Sequence, residues 1–184
     1  MTLNIWQLDP ANLTPYYNLA ICEALAQANQ QVRYITSDYL YDHDLPVSNN
    51  YIVDHDYFVG LNRQWLIKTP RLRKILRGVS YPLNHRHVLK KIKKHKPDII
   101  HIQWSRLPRF DLPFIKAIKK LNIPVVHTIH NVKSSFATED DIQQLGKVYA
   151  LADLIILHTQ ANKQEFLALY PFIPEHKTQV IPLI

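Results

Sequence analysis

Short apolar runs alternate with amphipathic stretches along almost the whole chain. Leu3 to Leu8 reads as a first strand, and Tyr17, Ala20, Ile21, Ala24, Leu25 and Ala28 recur at the spacing of one helix face. Val32 to Thr36 is a second strand, with β-branched residues and a polar ending. Residues 39–58 are polar, aromatic and irregular, with room for a short strand in YIVDHDYFV. A basic stretch follows, broken around GVSYP. Its second half, His85 to His95, has helical spacing, with Val88, Leu89 and Ile92 turned to a core. KPDIIHIQW is a strand introduced by proline. FDLPFIKAIKKLN is a helix through Phe114, Ile115, Ile118 and Leu121, with Asp111 placed to cap its start. IPVVHTIHNV is the next strand. Asp140, Ile142, Leu145, Val148 and Tyr149 mark a further helix, and DLIILHT a further strand. QANKQEFLALY is helical up to Pro171, and TQVIPLI opens a last strand.

Helix-sized segments between consecutive strands require crossover connections. The pattern therefore predicts an α/β fold, a mostly parallel sheet with helices on both faces. Runs such as VVHTI and LIIL suit strands buried on both sides. In such sheets ligands sit beyond the carboxyl ends of the strands. That rule selects residues 9–16, 37–39, 103–109, 130–136 and 159–160, and with them Gln103, Trp104, Thr159 and Gln160 as candidate contacts.

The 184 residues fit one domain, 1–184, large enough for a substantial core. No apolar run approaches the roughly 20 residues of a membrane-spanning helix, and no secretory pattern opens the chain. A single cysteine, Cys22, cannot form an internal disulfide, which suits a reducing, cytoplasmic setting. Charge is distributed unevenly. Residues 57–97 hold twelve of the 22 Lys and Arg and no acid, leaving ten cations against all 15 acids elsewhere, a net of −5. A basic segment on a mildly acidic body implies a local anionic partner.

The chain has three glycines, none after the first strand, so the glycine-rich turn of dinucleotide binding is missing, and no phosphate loop of the Walker type is present. Nothing calls for a cofactor. Ten histidines invite a metal, but no HExxH or paired-cysteine spacing supports one. With period two, Val126, Thr128 and His130 face one side of their strand and Val125, His127 and Ile129 the other. Mid-strand His127 reads as a packed, hydrogen-bonded core histidine. His130, at the carboxyl end, is open to that role or to ligand contact.

PDIIHIQW, a helix, IPVVHTIHNV, then ADLIILHTQANKQEF and a closing VIP resemble the N-terminal half of a GT-B glycosyltransferase of the retaining family 4. The resemblance implies a Rossmann-like, acceptor-binding domain that faces a donor-binding domain across a cleft. It places His130 against the transferred sugar, with Asn131 beside it. DPANLTPYYN stands where the family often has a glycine pair, so Asn12 and Thr14 become the polar contacts there. After VIP the family continues into the donor domain, whose glutamate motif has no counterpart in this sequence. The implied partners are a nucleotide-sugar donor, held by that absent domain, and a sugar or lipid-linked acceptor. The implied role is in surface, exopolysaccharide or glycolipid synthesis, with this chain inactive on its own.

Arg63, Trp65, Lys68, Arg71, Arg73, Lys74 and Arg77 alternate with apolar residues, a composition suited to an anionic membrane surface. A peripheral position on the inner face of the membrane follows. No nucleic-acid reader motif accompanies the charge. The alternative function is a non-catalytic membrane-docking or partner-binding module that completes a site with a separate donor-binding chain.

Overall fold

Six residues from Asn4 pair in parallel with six from Gln31, Asn4 opposite Gln31 and Asp9 opposite Thr36. This ladder anchors the first half of the chain. The structure, a computed structural model, describes residues 1–39, 48–61, 64–133 and 138–183, without the side chains of 64 and 65. The chain divides into two compact units, Met1–Asp98 and Ile99–Ile184. Together they realise the predicted α/β, Rossmann-like class, and every strand pairing described within them is parallel.

The first unit runs β1 (Asn4–Asp9), α1 (Pro15–Gln27), β2 (Gln31–Thr36), β3 (Ile52–Asp54), α2 (Gln64–Ile67) and α3 (Pro70–His95), with strand order β3-β2-β1. Ile5 through Asp9 are buried without a break, so both faces of β1 are covered. Leu19, Cys22, Val32, Tyr34 and Tyr51 form one apolar cluster, with Leu25 and Val53 against it. The buried face of α1 is Pro15, Asn18, Leu19 and Cys22, rotated from the stripe the sequence predicts; Ala20 and Ala24 face solvent. Asn18 accounts for the rotation, because its side chain is needed inside by Asp9 and Tyr34.

No break occurs at GVSYP. α3 runs for 26 residues through Gly78 and Pro82 and ends at Lys96, which takes the left-handed conformation just before Pro97. Pro82 has no N–H for the Gly78 carbonyl, and an interior proline costs about 3 kcal/mol. Tyr81, Val88 and Ile92 are at most 2% exposed. Burying such side chains is worth about 1.5–3 kcal/mol each, so packing outweighs the local defect. His85 joins that face, its Nδ1 2.9 Å from the Tyr57 hydroxyl.

The second unit runs β4 (Ile99–Ile102), α4 (Pro108–Lys119), β5 (Val125–Thr128), α5 (Glu139–Ala150), β6 (Leu154–Leu157), α6 (Gln160–Leu169), a 3₁₀ turn (Glu175–Lys177) and β7 (Thr178–Val180), in the order β4-β5-β6-β7. α4 starts at Pro108, one turn earlier than FDLPFIKAIKKLN implies. Asp111 therefore sits within the first turn, and its carboxylate accepts the Leu107 N–H at 3.0 Å. α5 carries a full capping box between Thr138 and Asp141. Gly146 lies against aromatic rings: a Cβ there would stand 2.9 Å from Phe172 and 3.0 Å from Tyr170.

Replacing Pro82 with Ala supplies the missing donor to Gly78. It is expected to raise unfolding free energy by about 1–3 kcal/mol in urea titration. An unchanged or lower midpoint would mean that the helix is built around the proline.

Candidate functional site

In the first unit the carboxyl end of β1 is held by a buried carboxylate. Asp9 is fully buried and accepts from the Ala11 N–H at 3.2 Å, the Leu13 N–H at 2.8 Å and the Asn18 amide at 2.8 Å. Burial raises its pKa even against these donors. Asn12 takes a left-handed backbone, φ 51°. Its amide is committed on both atoms, donating to the Ser37 carbonyl at 2.9 Å and accepting the Tyr34 hydroxyl at 2.9 Å. Thr14 is half-buried at the start of α1, where its carbonyl accepts the Asn18 N–H. Side chains thus shape the loop that glycines shape elsewhere.

In the second unit the strand ends carry four histidines: His101 on β4, His127 on β5, His130 just past β5 and His158 just past β6. His127 donates through Nδ1 to the Thr128 carbonyl at 3.0 Å, leaving Nε2 to accept from the Ser105 hydroxyl at 3.0 Å. Its ring meets Tyr149 edge-on. His130 is half-buried. Its ring stacks on Trp104, with centroids 4.7 Å apart and planes 16° apart. Nε2 of His130 lies 3.1 Å from Oε1 of Gln103, and the His158 ring is 5.2 Å away. His158 donates through Nδ1 to the Ile181 carbonyl. Among the described residues no three His, Cys, Asp or Glu side chains converge as metal ligands would.

A cavity of about 540 Å³ opens here, and Gln103, Trp104, His130 and Asn131 from the predicted set all line it. His127 and Tyr149 line it as well. His127 and His130 line the same cavity rather than opposite faces of one strand, because β5 ends at Thr128 and alternation does not extend to His130. Thr159 and Gln160 lie outside this lining. Thr159 is the N-cap of α6, accepting the Asn162 N–H at 3.0 Å, and Gln160 is the exposed first residue of that helix. Ser105 falls within the strand-end segment 103–109, whereas His101 was not anticipated. The period-two spacing of His101 and Gln103 is the signal that pairs them on one side of β4.

Of the basic residues, Lys68, Arg71 and Lys74 are exposed. Arg73 donates to the Leu61 carbonyl at 3.2 Å, and Arg77 lies over the Phe58 ring at 4.0 Å. Arg63 and the Trp65 side chain lie outside the described residues. Two of the apolar residues interleaved with these cations, Leu72 and Ile75, continue through Val79 and Leu83 into a stripe that was not anticipated; the four are 44%, 63%, 64% and 54% exposed. With 3.6 residues per turn they fall opposite the buried Tyr81, His85, Val88 and Ile92. Among the described residues no helix is long and apolar enough to cross a membrane.

Parallel strands with helical crossovers, and an aromatic and imidazole cavity at their carboxyl ends, define a Rossmann-like domain of the GT-B type. The profile of Glycosyltransferase Family 4 matches residues 16–183, and the chain belongs to that family. Among solved structures it is similar to a glycosyltransferase from Rickettsia africae ESF-5 (18% identity, TM-score 0.66, 98% of this chain and 43% of that one). It is also similar to Anabaena Alr3699/HepE in complex with UDP and glucose (15%, 0.57, 98% and 44%). A UDP-GlcNAc 2-epimerase from Methanocaldococcus jannaschii is a third (17%, 0.58, 96% and 44%). At these identities the likeness is one of fold. The chain spans less than half the length of each, the extent of a single N-terminal domain. No curated protein matches it.

Burial pushes the pKa of His101 down to about 3, helped by His127 and His130. Burial likewise takes His127 to about 4, and burial with His158 takes His130 to about 4. These rings are neutral in the folded chain, whereas unfolded histidines titrate near 6.5. The unfolded state therefore binds more protons below pH 6.5, and stability is lost as pH falls from about 6.5 towards 4. The limiting slope is about 1.4 kcal/mol per pH unit for each fully buried ring. Asp9 has the opposite sign, since its raised pKa relieves a cost as pH falls. The urea midpoint is expected to be clearly lower at pH 5 than at pH 7, with part of that difference removed in His127→Phe. Equal midpoints at the two pH values would mean that the rings are solvated.

Proposed function

We propose that this chain is the acceptor-side domain of an enzyme that transfers a sugar from a nucleotide-sugar donor, with retention of anomeric configuration, in surface polysaccharide or glycolipid synthesis. The observation that carries this reading is His130 stacked on Trp104 over the 540 Å³ cavity at the strand ends. An aromatic face suits the C–H face of a sugar, and a neutral imidazole offers hydrogen bonds to hydroxyls rather than a fixed charge. Trp104 and Asn131 are the acceptor contacts in this reading. The fold is shared with an epimerase, so family membership is what favours transfer. The UDP and glucose of the Anabaena complex support the donor class. The domain that binds the nucleotide is assigned to further sequence or to a partner chain, since this chain corresponds to 43–44% of its structural relatives.

In an enzyme joining this chain to a donor-binding domain, His130→Ala is expected to lower kcat at least about tenfold, the scale of a lost charge-free hydrogen bond or more in a transition state. Unchanged turnover removes His130 from the mechanism. Calorimetry on this chain by itself is expected to detect no tight nucleotide-sugar binding; micromolar affinity would contradict the assignment.

A second reading, a membrane-docking module, is favoured by the exposed stripe on α3. Leu72, Ile75, Val79 and Leu83 form an apolar ridge, with exposed Arg71 at its border and exposed Lys68 just before the helix. Each such cation is worth roughly 1 kcal/mol near anionic lipid. Co-sedimentation with phosphatidylserine vesicles is expected, weakened by salt and abolished in Ile75→Asp/Val79→Asp. Equal binding to neutral vesicles, or none to either, rejects the docking surface.

A further inference from the structure

Four polar side chains at the ends of β4 and β5 form one chain of hydrogen bonds. Thr128 Oγ1 lies 2.8 Å from His101 Nε2, His101 Nε2 lies 3.2 Å from Gln103 Nε2, and Gln103 Oε1 lies 3.1 Å from His130 Nε2. Gln103 is fully buried, Thr128 and His101 nearly so; Gln103, Thr128 and His130 line the cavity, and of these only His130 is half-exposed.

The chemistry of the amide gives this chain a direction. An amide nitrogen can donate and cannot accept, and an amide oxygen can accept and cannot donate. With the amide placed so, His101 Nε2 carries the lone pair, a single one shared by the Thr128 hydroxyl proton at 2.8 Å and the Gln103 N–H at 3.2 Å. His130 Nε2 must carry its proton and give it to Gln103 Oε1. A glutamine buried without these partners would cost about 1–3 kcal/mol for each unmet group, which favours the anchored orientation.

We infer that Gln103, itself anchored by His101 and Thr128, is a positioning residue that fixes the His130 imidazole in its Nε2–H tautomer and in register with the Trp104 ring. The other titratable rings near His130 are His158, at 5.2 Å, and His127, which lines the same cavity. Neither occupies the Gln103 contact. Burial and His158 keep His130 neutral through the physiological range, so a neutral tautomer is what the amide selects. A ring held in one orientation before substrate arrives loses less freedom on binding. The consequence for transfer rests on the proposed function of His130; the relay itself is a property of the chain without substrate.

The test is two-bond proton–nitrogen correlation NMR on chain labelled at histidine, which assigns each ring's tautomer. At pH 7 His130 is expected as Nε2–H and His101 as Nδ1–H. In Gln103→Leu, His130 is expected to populate both tautomers. In Gln103→Glu, a carboxylate at the same reach is expected to raise the His130 pKa by about 1–3 units, as a close opposite charge does. Should Gln103→Leu fail to fold, the wild-type assignment and the Gln103→Glu titration still decide. An Nδ1–H tautomer for His130 in the wild type, or an unmoved titration in folded Gln103→Glu, overturns the relay. In the joined enzyme, Gln103→Leu is expected to lower kcat more than it raises KM. If His130→Ala abolishes transfer while Gln103→Leu leaves it intact, positioning is rejected and the proposed function stands. If His130→Ala leaves transfer intact, the role of His130 in that function fails and the NMR result still judges the relay.

Discussion

A strand buried on both faces gives its polar side chains little access to water, and this constraint governs the ends of β1 and β4. β1 buries Gln7 and Asp9 among Ile5, Trp6 and Leu8, and β4 buries His101 beside Ile100 and Ile102. Most of their polar atoms find partners inside the protein: Gln7 Nε2 donates to Asn18, while Gln7 Oε1 is buried with none among the described residues. Asp9 finds two backbone N–H groups and Asn18; His101 finds Thr128 and Gln103. The loops that leave the strands are shaped around those bonds. The candidate cavity is consequently walled by side chains whose orientations are set before any ligand arrives.

The loop after β1 illustrates how residue chemistry can substitute for backbone freedom. A glycine pair reaches a sharp turn because it lacks Cβ atoms. Here Asn12, one of the residue types that tolerate positive φ, makes the turn, and the Asp9 carboxylate gathers the N–H groups that follow. The cost is that Asn12, Asn18 and Tyr34 are occupied with one another. The loop after β1 is thus held by its own side-chain hydrogen bonds.

α3 meets two demands with one sequence. Tyr81, His85, Val88 and Ile92 bury one side, and Lys91 bridges Asp54 and Asp56 at 2.6 Å, so part of the basic charge is spent inside the unit. The opposite side begins apolar, from Leu72 to Leu83, and turns basic at Arg86 and Lys90. Packing on the first side is what carries the helix through Pro82. The second side is free to serve a surface.

Hydrophobic periodicity determined most of the fold, because strands of period two and helices of period 3.6 leave different marks, and their alternation dictates parallel crossovers. The positions of His130, Trp104 and Gln103 at strand ends, and the packing of His127, were legible from the same pattern. Several features were not legible: the continuity of α3 across Pro82, the rotation of α1 towards Asn18, the end of β5 at Thr128 and the capping role of Thr159. Each depends on a partner distant in the sequence or on where a strand stops, which local spacing does not encode. The sequence by itself determined which residues lie at the mouth of the sheet. Tertiary structure decided which of them hold one another, because hydrogen bonds such as that between Gln103 and His130 join residues 27 positions apart and exist only when two strands lie side by side.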